Sequence, residues 1–291
     1  MKIKKIIEGV NEFLDSPPTK KENDCIAKLQ IFKHNYAKIV LALVFVVGLW
    51  WLEKSWIVAF TFLAAVYVHE LGHQWAMRSI GVECKGIWVV PFFGGIAVQS
   101  GESKINNWER WLIAMMGPFF GLCMALVPFL VYQYILAIRF KNHFPSASVA
   151  DKEQIASFAI VWIKVARDIA IFNLVNLLPL PLLDGGRIIG EMILSFSRTA
   201  AIIFFVFFLC LAVWLVVKIG SVFIAVLSVL GAIVLYLRWR DNDDRKKMYG
   251  VEIFIAFILY LGMFCGLVYI VGTSHQNLRS WETAITMFKK G

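Results

Sequence analysis

Charge is scarce in this chain. Asp, Glu, Lys and Arg make up 17% of its 291 residues, whereas about a quarter of an ordinary soluble globular chain is charged. Paired cysteine is missing too. Cys25, Cys84, Cys123, Cys210 and Cys265 are scattered, and no CxxC occurs. That argues against a disulfide framework or a cysteine-built metal cluster and leaves free thiols. There is no internal repeat, no low-complexity tract and no polar segment long enough to fold alone. The first apolar run starts only near Ala37, after a long polar lead, so a cleavable signal peptide is not expected.

What is present is apolar. Hydrophobic residues make up 59% of the chain, in blocks at about 37–52, 56–77, 111–138, 156–180, 199–217, 220–237 and 251–272. A helix needs about 20 apolar residues to span a bilayer. The expected fold class is therefore an all-α polytopic membrane protein with six or seven transmembrane helices. The net charge of +9 is a weak pointer to nucleic acid, and none is expected as a partner. Lys and Arg gather in cytoplasmic loops of membrane proteins. With the N-terminus in the cytoplasm, 19 of these residues fall in inner segments and 8 in outer ones, so that orientation is expected. Residues 3–14 place Ile3, Ile6, Ile7, Val10, Phe13 and Leu14 on one helical face, as in a helix lying on a membrane surface or packed on the protein.

Two blocks do not read as plain spans. The stretch around 86–99 is short and interrupted by Pro91, Gly94 and Gly95, and reads as extended or hairpin-like backbone. Residues 173–187, "NLVNLLPLPLLDGGR", end a helix with a Pro-x-Pro and a Gly-Gly turn. Irregular backbone at membrane depth is tolerated only when buried in protein or lining a wet cavity. Both blocks therefore point to a site.

The chemistry lies in "HELGH", residues 69–73. On a helix His69 and His73 share a face, so both imidazoles reach one metal ion with Glu70 beside it. Two packed core histidines would give the same pattern, but ionisable groups on an apolar helix are rare without a function. Zinc suits two imidazoles and an open position; Glu70 is then placed to act as general base. A third ligand is needed. His34, His143 and His275 lie in polar flanks. Asp184, in its glycine turn, is the better candidate, although a solvated turn aspartate would look the same. If the second span starts at residue 56, His69 lies about 20 Å along it, inside the hydrocarbon and nearer the cytoplasmic face.

At this point the chain resembles the site-2 protease family of intramembrane zinc metalloproteases, peptidase family M50. "HELGH" and "NLLPLPLLDGG" (176–186) carry the match, which covers roughly residues 56–190. The resemblance implies one zinc ion held by His69, His73 and Asp184, with Glu70 as general base. It implies that Asn176 contacts substrate or stabilises the tetrahedral intermediate; a helix–helix hydrogen bond is its plainer role. It also implies a short membrane-associated β region after the zinc helix. Gly117–Pro118 matches a family motif in the next span, but the asparagine often found three residues after that proline is Gly121 here. A PDZ or CBS domain, which many relatives carry, does not fit.

The expected organisation is a cytoplasmic amphipathic segment at 1–36, a metalloprotease core at 37–198, further transmembrane helices at 199–272 and a tail at 273–291. The implied activity is hydrolysis of a peptide bond within or near a transmembrane segment of a membrane-protein substrate. A prokaryotic cytoplasmic membrane is the expected setting, with the active site towards the cytoplasm. Two alternatives stay open. One is an HExxH membrane protease of the prenyl-protein or quality-control class, with Glu191 as third ligand. The other is a non-catalytic metal-binding scaffold or transporter. Arg167 and Asp168 read as a structural pair or as the lining of an aqueous route.

Overall fold

The computed structural model describes residues 39–51, 54–82, 84–90, 94–99, 105–136, 148–180, 182–220, 229–233 and 246–288. The amphipathic segment at 3–14, most of the 220–237 block, Cys25, His34 and His143 lie outside them. In chain order the elements are a short apolar helix α1 (Ile39–Trp51), α2 (Trp56–Ser79), β1 (Cys84–Val90), β2 (Gly94–Gln99), α3 (Asn107–Ile135), α4 (Val149–Asn176), α5 (Asp184–Phe196), α6 (Arg198–Ile219) and α7 (Gly250–Phe288).

Helix starts follow local chemistry. Asn106 and Glu109 form a capping box at α3, with Glu109 N donating to Asn106 Oδ1 at 2.8 Å and Asn106 N to Glu109 Oε2 at 2.8 Å, which satisfies two otherwise orphaned donors. Ser148 caps α4 through Asp151 N, and Ser197 caps α6 through Ala200 N. These polar first turns explain why α4 starts at Val149 rather than near 156: hydropathy sees only the apolar part of a helix.

Among the described residues, four helices are long and apolar enough to cross a membrane: α2, α3, α6 and α7. Helix α4 has 28 residues, but Asp151, Lys152, Glu153, Lys164, Arg167 and Asp168 dilute it. Arg167 and Asp168 pair with each other, Nη2 to Oδ1 at 2.8 Å. Outward-facing positions stay apolar, with Phe60, Val127, Leu130, Ile203, Phe207 and Phe254 all more than half exposed. That is the surface a lipid solvent requires. Helix α7 has 39 residues, or about 58 Å at 1.5 Å per residue. The segment read as a tail from 273 is helical as far as Phe288.

The core is a helical sandwich. Helix α3 lies between α2, α4, α5 and α7, and α7 runs along both α3 and α4. Small residues set the closest approach. A Cβ at Gly72 of α2 would overlap the Met116 carbonyl of α3, so glycine lets the two backbones touch. Beside this pair, β1 and β2 form an antiparallel hairpin with Val90 opposite Gly94 and Trp88 opposite Ile96; it rests against α2. Ser195 ties the lower end together. Its Oγ accepts from Asn107 Nδ2 at 3.3 Å and Met248 N at 3.1 Å and donates to Glu191 O at 2.8 Å. Cys123, Cys210 and Cys265 are free thiols.

Candidate metal centre

Helical spacing puts His69 and His73 one turn apart on the buried face of α2, where they are 2% and 5% exposed. Their Nε2 atoms lie 3.1 Å apart. Asp184 is the first residue of α5, and its Oδ2 lies 2.8 Å from His69 Nε2 and 3.2 Å from His73 Nε2. Three potential ligand atoms thus meet in a small triangle at the seam of α2, α3 and α5.

Asp184 arrives there because α4 stops at Asn176 and the chain turns from Leu177 through Pro179 before α5 begins. Gly185 permits the turn: a Cβ on it would overlap the backbone carbonyl of Leu177. The other carboxylate oxygen, Oδ1, faces Arg187 Nη1 at 3.9 Å. Gly117 of α3 supplies the remaining room, since a Cβ there would overlap the imidazole of His73 and crowd His69 Nε2.

The far side of each imidazole decides what the near side presents. His73 Nδ1 lies 2.7 Å from the carbonyl oxygen of Ile113, which can only accept, so Nδ1 carries the proton. His69 Nδ1 lies 2.8 Å from Asn173 Oδ1. The Asn173 amide is oriented by its Nδ2, which donates to Ile169 O at 2.9 Å. His69 therefore also holds its proton on Nδ1. Both Nε2 lone pairs then face each other and a carboxylate. A single proton reconciles two of the three; a bound cation reconciles all of them. Two imidazoles and a carboxylate, with the other ring N–H groups fixed on oxygen acceptors, form a donor set that fits zinc.

Glu70 is 4% exposed, and its carboxylate comes within 4.8 Å of the histidine ligand nitrogens. Asp184 lies closer to both nitrogens, which leaves Glu70 beside the triangle rather than in it.

The other candidates fall elsewhere. Asn176 is half-buried at the last turn of α4. His275 is exposed on α7. Glu191 is buried in α5, seven residues beyond Asp184 and so about 10 Å further along the helix. The residue that pattern reading passes over is Asn173. Its signal was a lone amide facing inward on an apolar turn, which the neighbouring Asn176 of the motif overshadowed. Asn173 also accounts for Gly121, because a Cβ at 121 would overlap the Asn173 amide.

The model of peptidase family M50 matches residues 57–215. The chain belongs to peptidase family M50. The match takes in α2 to α6, and so every residue of the triangle. Among curated proteins, a zinc metalloprotease of Methanocaldococcus jannaschii is 32% identical over 98 residues, which is 33% of this M50 chain and 28% of that protein. The chain thus aligns with under a third of that relative's length. The M50 match and the long apolar helices identify an integral membrane protein.

Proposed function

We propose that this M50 chain is an intramembrane zinc metalloprotease of the site-2 type. The observation that carries the reading is the convergence of His69 Nε2, His73 Nε2 and Asp184 Oδ2 with both Nδ1 protons already engaged. His69, His73 and Asp184 would hold the metal. When bound, zinc supplies Lewis acidity, drawing the pKa of water towards neutrality and polarising a carbonyl oxygen.

The chain's own residues do the rest. Glu70 takes a proton from the attacking water and passes it to the leaving amine. Its burial keeps competing water away from the carboxylate. Asn176, at the helix end next to the Pro-x-Pro turn, donates its amide to the oxyanion that develops on the scissile carbonyl. The substrate is a membrane protein, cut within or near a transmembrane segment. This follows from location: a site enclosed by lipid-facing helices meets a chain already in the bilayer more readily than a soluble one. The orientation read from Lys and Arg puts the site towards the cytoplasm of a prokaryotic cell.

The prenyl-protein or quality-control alternative needs Glu191 at the metal. The oxygen beside both Nε2 atoms belongs to Asp184, which favours the site-2 arrangement.

The test is elemental analysis of the purified protein together with cleavage of a single-span model substrate in proteoliposomes. About one zinc per chain and chelator-sensitive cleavage are expected. A protein that holds no zinc when refilled, or that cleaves equally well after chelation, overturns the reading.

A further inference from the structure

Asn173 has no part in the reaction just described, yet it is 0% exposed and sits on an apolar turn of α4. A buried amide is costly unless its polar atoms are paired. Asn173 spends one donor on Ile169 O and its acceptor on His69 Nδ1. Helix α3 makes room for it with Gly121, where any side chain would collide with the amide. The preceding residue, Phe172, packs edge-on against the His69 ring with centroids 5.5 Å apart. Two consecutive residues of α4 thus hold one imidazole, by its face and by its N–H.

We propose that Asn173 is a positioning residue for His69, fixing its Nδ1–H tautomer and so setting the affinity of the site for a divalent metal. The inference rests on the metal-site reading above. Without an acceptor at Nδ1, the imidazole gains from moving its proton to Nε2. There Asp184 Oδ2 waits at 2.8 Å. That hydrogen bond would close the triangle with a proton in the place of the metal. His73 is not exposed to this exchange, because its partner is the backbone carbonyl of Ile113, which no substitution removes. His69 is therefore the ligand whose setting depends on one side chain.

The experiment measures zinc affinity of the full-length protein in detergent by competition with a chromophoric chelator. Wild type is compared with Asn173→Ala, Asn173→Asp and the double variant Gly121→Asn/Asn173→Ala. The thermal midpoint of each zinc-free protein is recorded alongside. Loss of an outer partner of a metal-bound histidine typically weakens binding about 10–100-fold, and that loss is expected for Asn173→Ala. Asn173→Asp keeps an acceptor for His69 Nδ1 while losing the donor to Ile169 O and adding a negative charge, which itself favours a cation nearby, so it retains most of the affinity. The double variant returns an amide to the same space from the opposite helix and recovers part of it.

Equal affinity in wild type and Asn173→Ala overturns the inference. Equal losses in Asn173→Ala and Asn173→Asp overturn it too, because packing rather than the acceptor would then be at work. If Asn173→Ala yields no folded protein, Asn173→Leu, which fills the volume without an acceptor, is read in its place. A wild type without zinc affinity overturns the metal-site reading itself and takes the inference with it, an outcome distinct from the other two.

Discussion

The α-carbon of Gly117 faces the imidazole of His73 with no space for a methyl group between them. The glycine thus shapes the candidate metal centre although it offers no ligand atom. Gly117→Ala is expected to displace His73, crowd His69 and abolish zinc binding, while the helices still assemble. Zinc content and circular dichroism of the purified variant check this together. Normal zinc with normal helicity would show that α3 can retreat from the site.

Glu70 stands beside the His69–His73–Asp184 triangle, not within it. Glu70→Gln keeps the side-chain volume and removes the base. Cleavage is expected to fall by at least about 10²-fold, the usual share of general-base catalysis, with zinc content unchanged. Loss of zinc in this variant would instead make Glu70 a ligand.

Asp184 and Glu191 lie on the same short helix, and both are buried. Only Asp184 has an oxygen against both histidines. Asp184→Asn is therefore expected to lose most bound zinc and Glu191→Gln to keep it. Elemental analysis of the two variants decides, and the reverse result would point to the other class of HExxH protease.

Tyr260 of α7 donates its hydroxyl to the carbonyl of Leu177 at 2.7 Å, at the point where α4 breaks before the Asp184 turn. Removing one such bond costs about 1 kcal/mol. Tyr260→Phe should lower stability by that order, read by denaturant unfolding in detergent, and weaken zinc binding modestly. No change in either would mean the turn holds its shape unaided.

Much of the site was legible because its chemistry is local or strictly spaced. His69, Glu70 and His73 are neighbours on one helix. Asp184 stands out as the carboxylate that follows a helix-breaking turn. Asn173 was hidden for the opposite reason. Its meaning depends on Gly121 and His69, 52 and 104 positions away in the sequence, and no periodicity links them. The fold divides the same way. Apolar runs marked the central parts of α2, α3, α4, α6 and α7. The ends of α4 and α7 were missed because polar turns continue a helix once a cap or a neighbouring helix supports them. The packing of α7 against α4 was likewise beyond reach, since contact between distant segments leaves no mark on either one alone.

The bond from Tyr260 to Leu177 carries one more meaning. The stretch that matches M50 ends at residue 215, yet the turn presenting Asp184 is braced by a helix that begins at 250. Trp281 of that same helix reaches Tyr132 at 3.1 Å, near the far end of α3. The part of the chain that matches the family is therefore smaller than the part that packs together around the site. A fragment cut at the edge of the recognisable region would keep His69, His73 and Asp184 and lose the buttress behind the turn that presents Asp184.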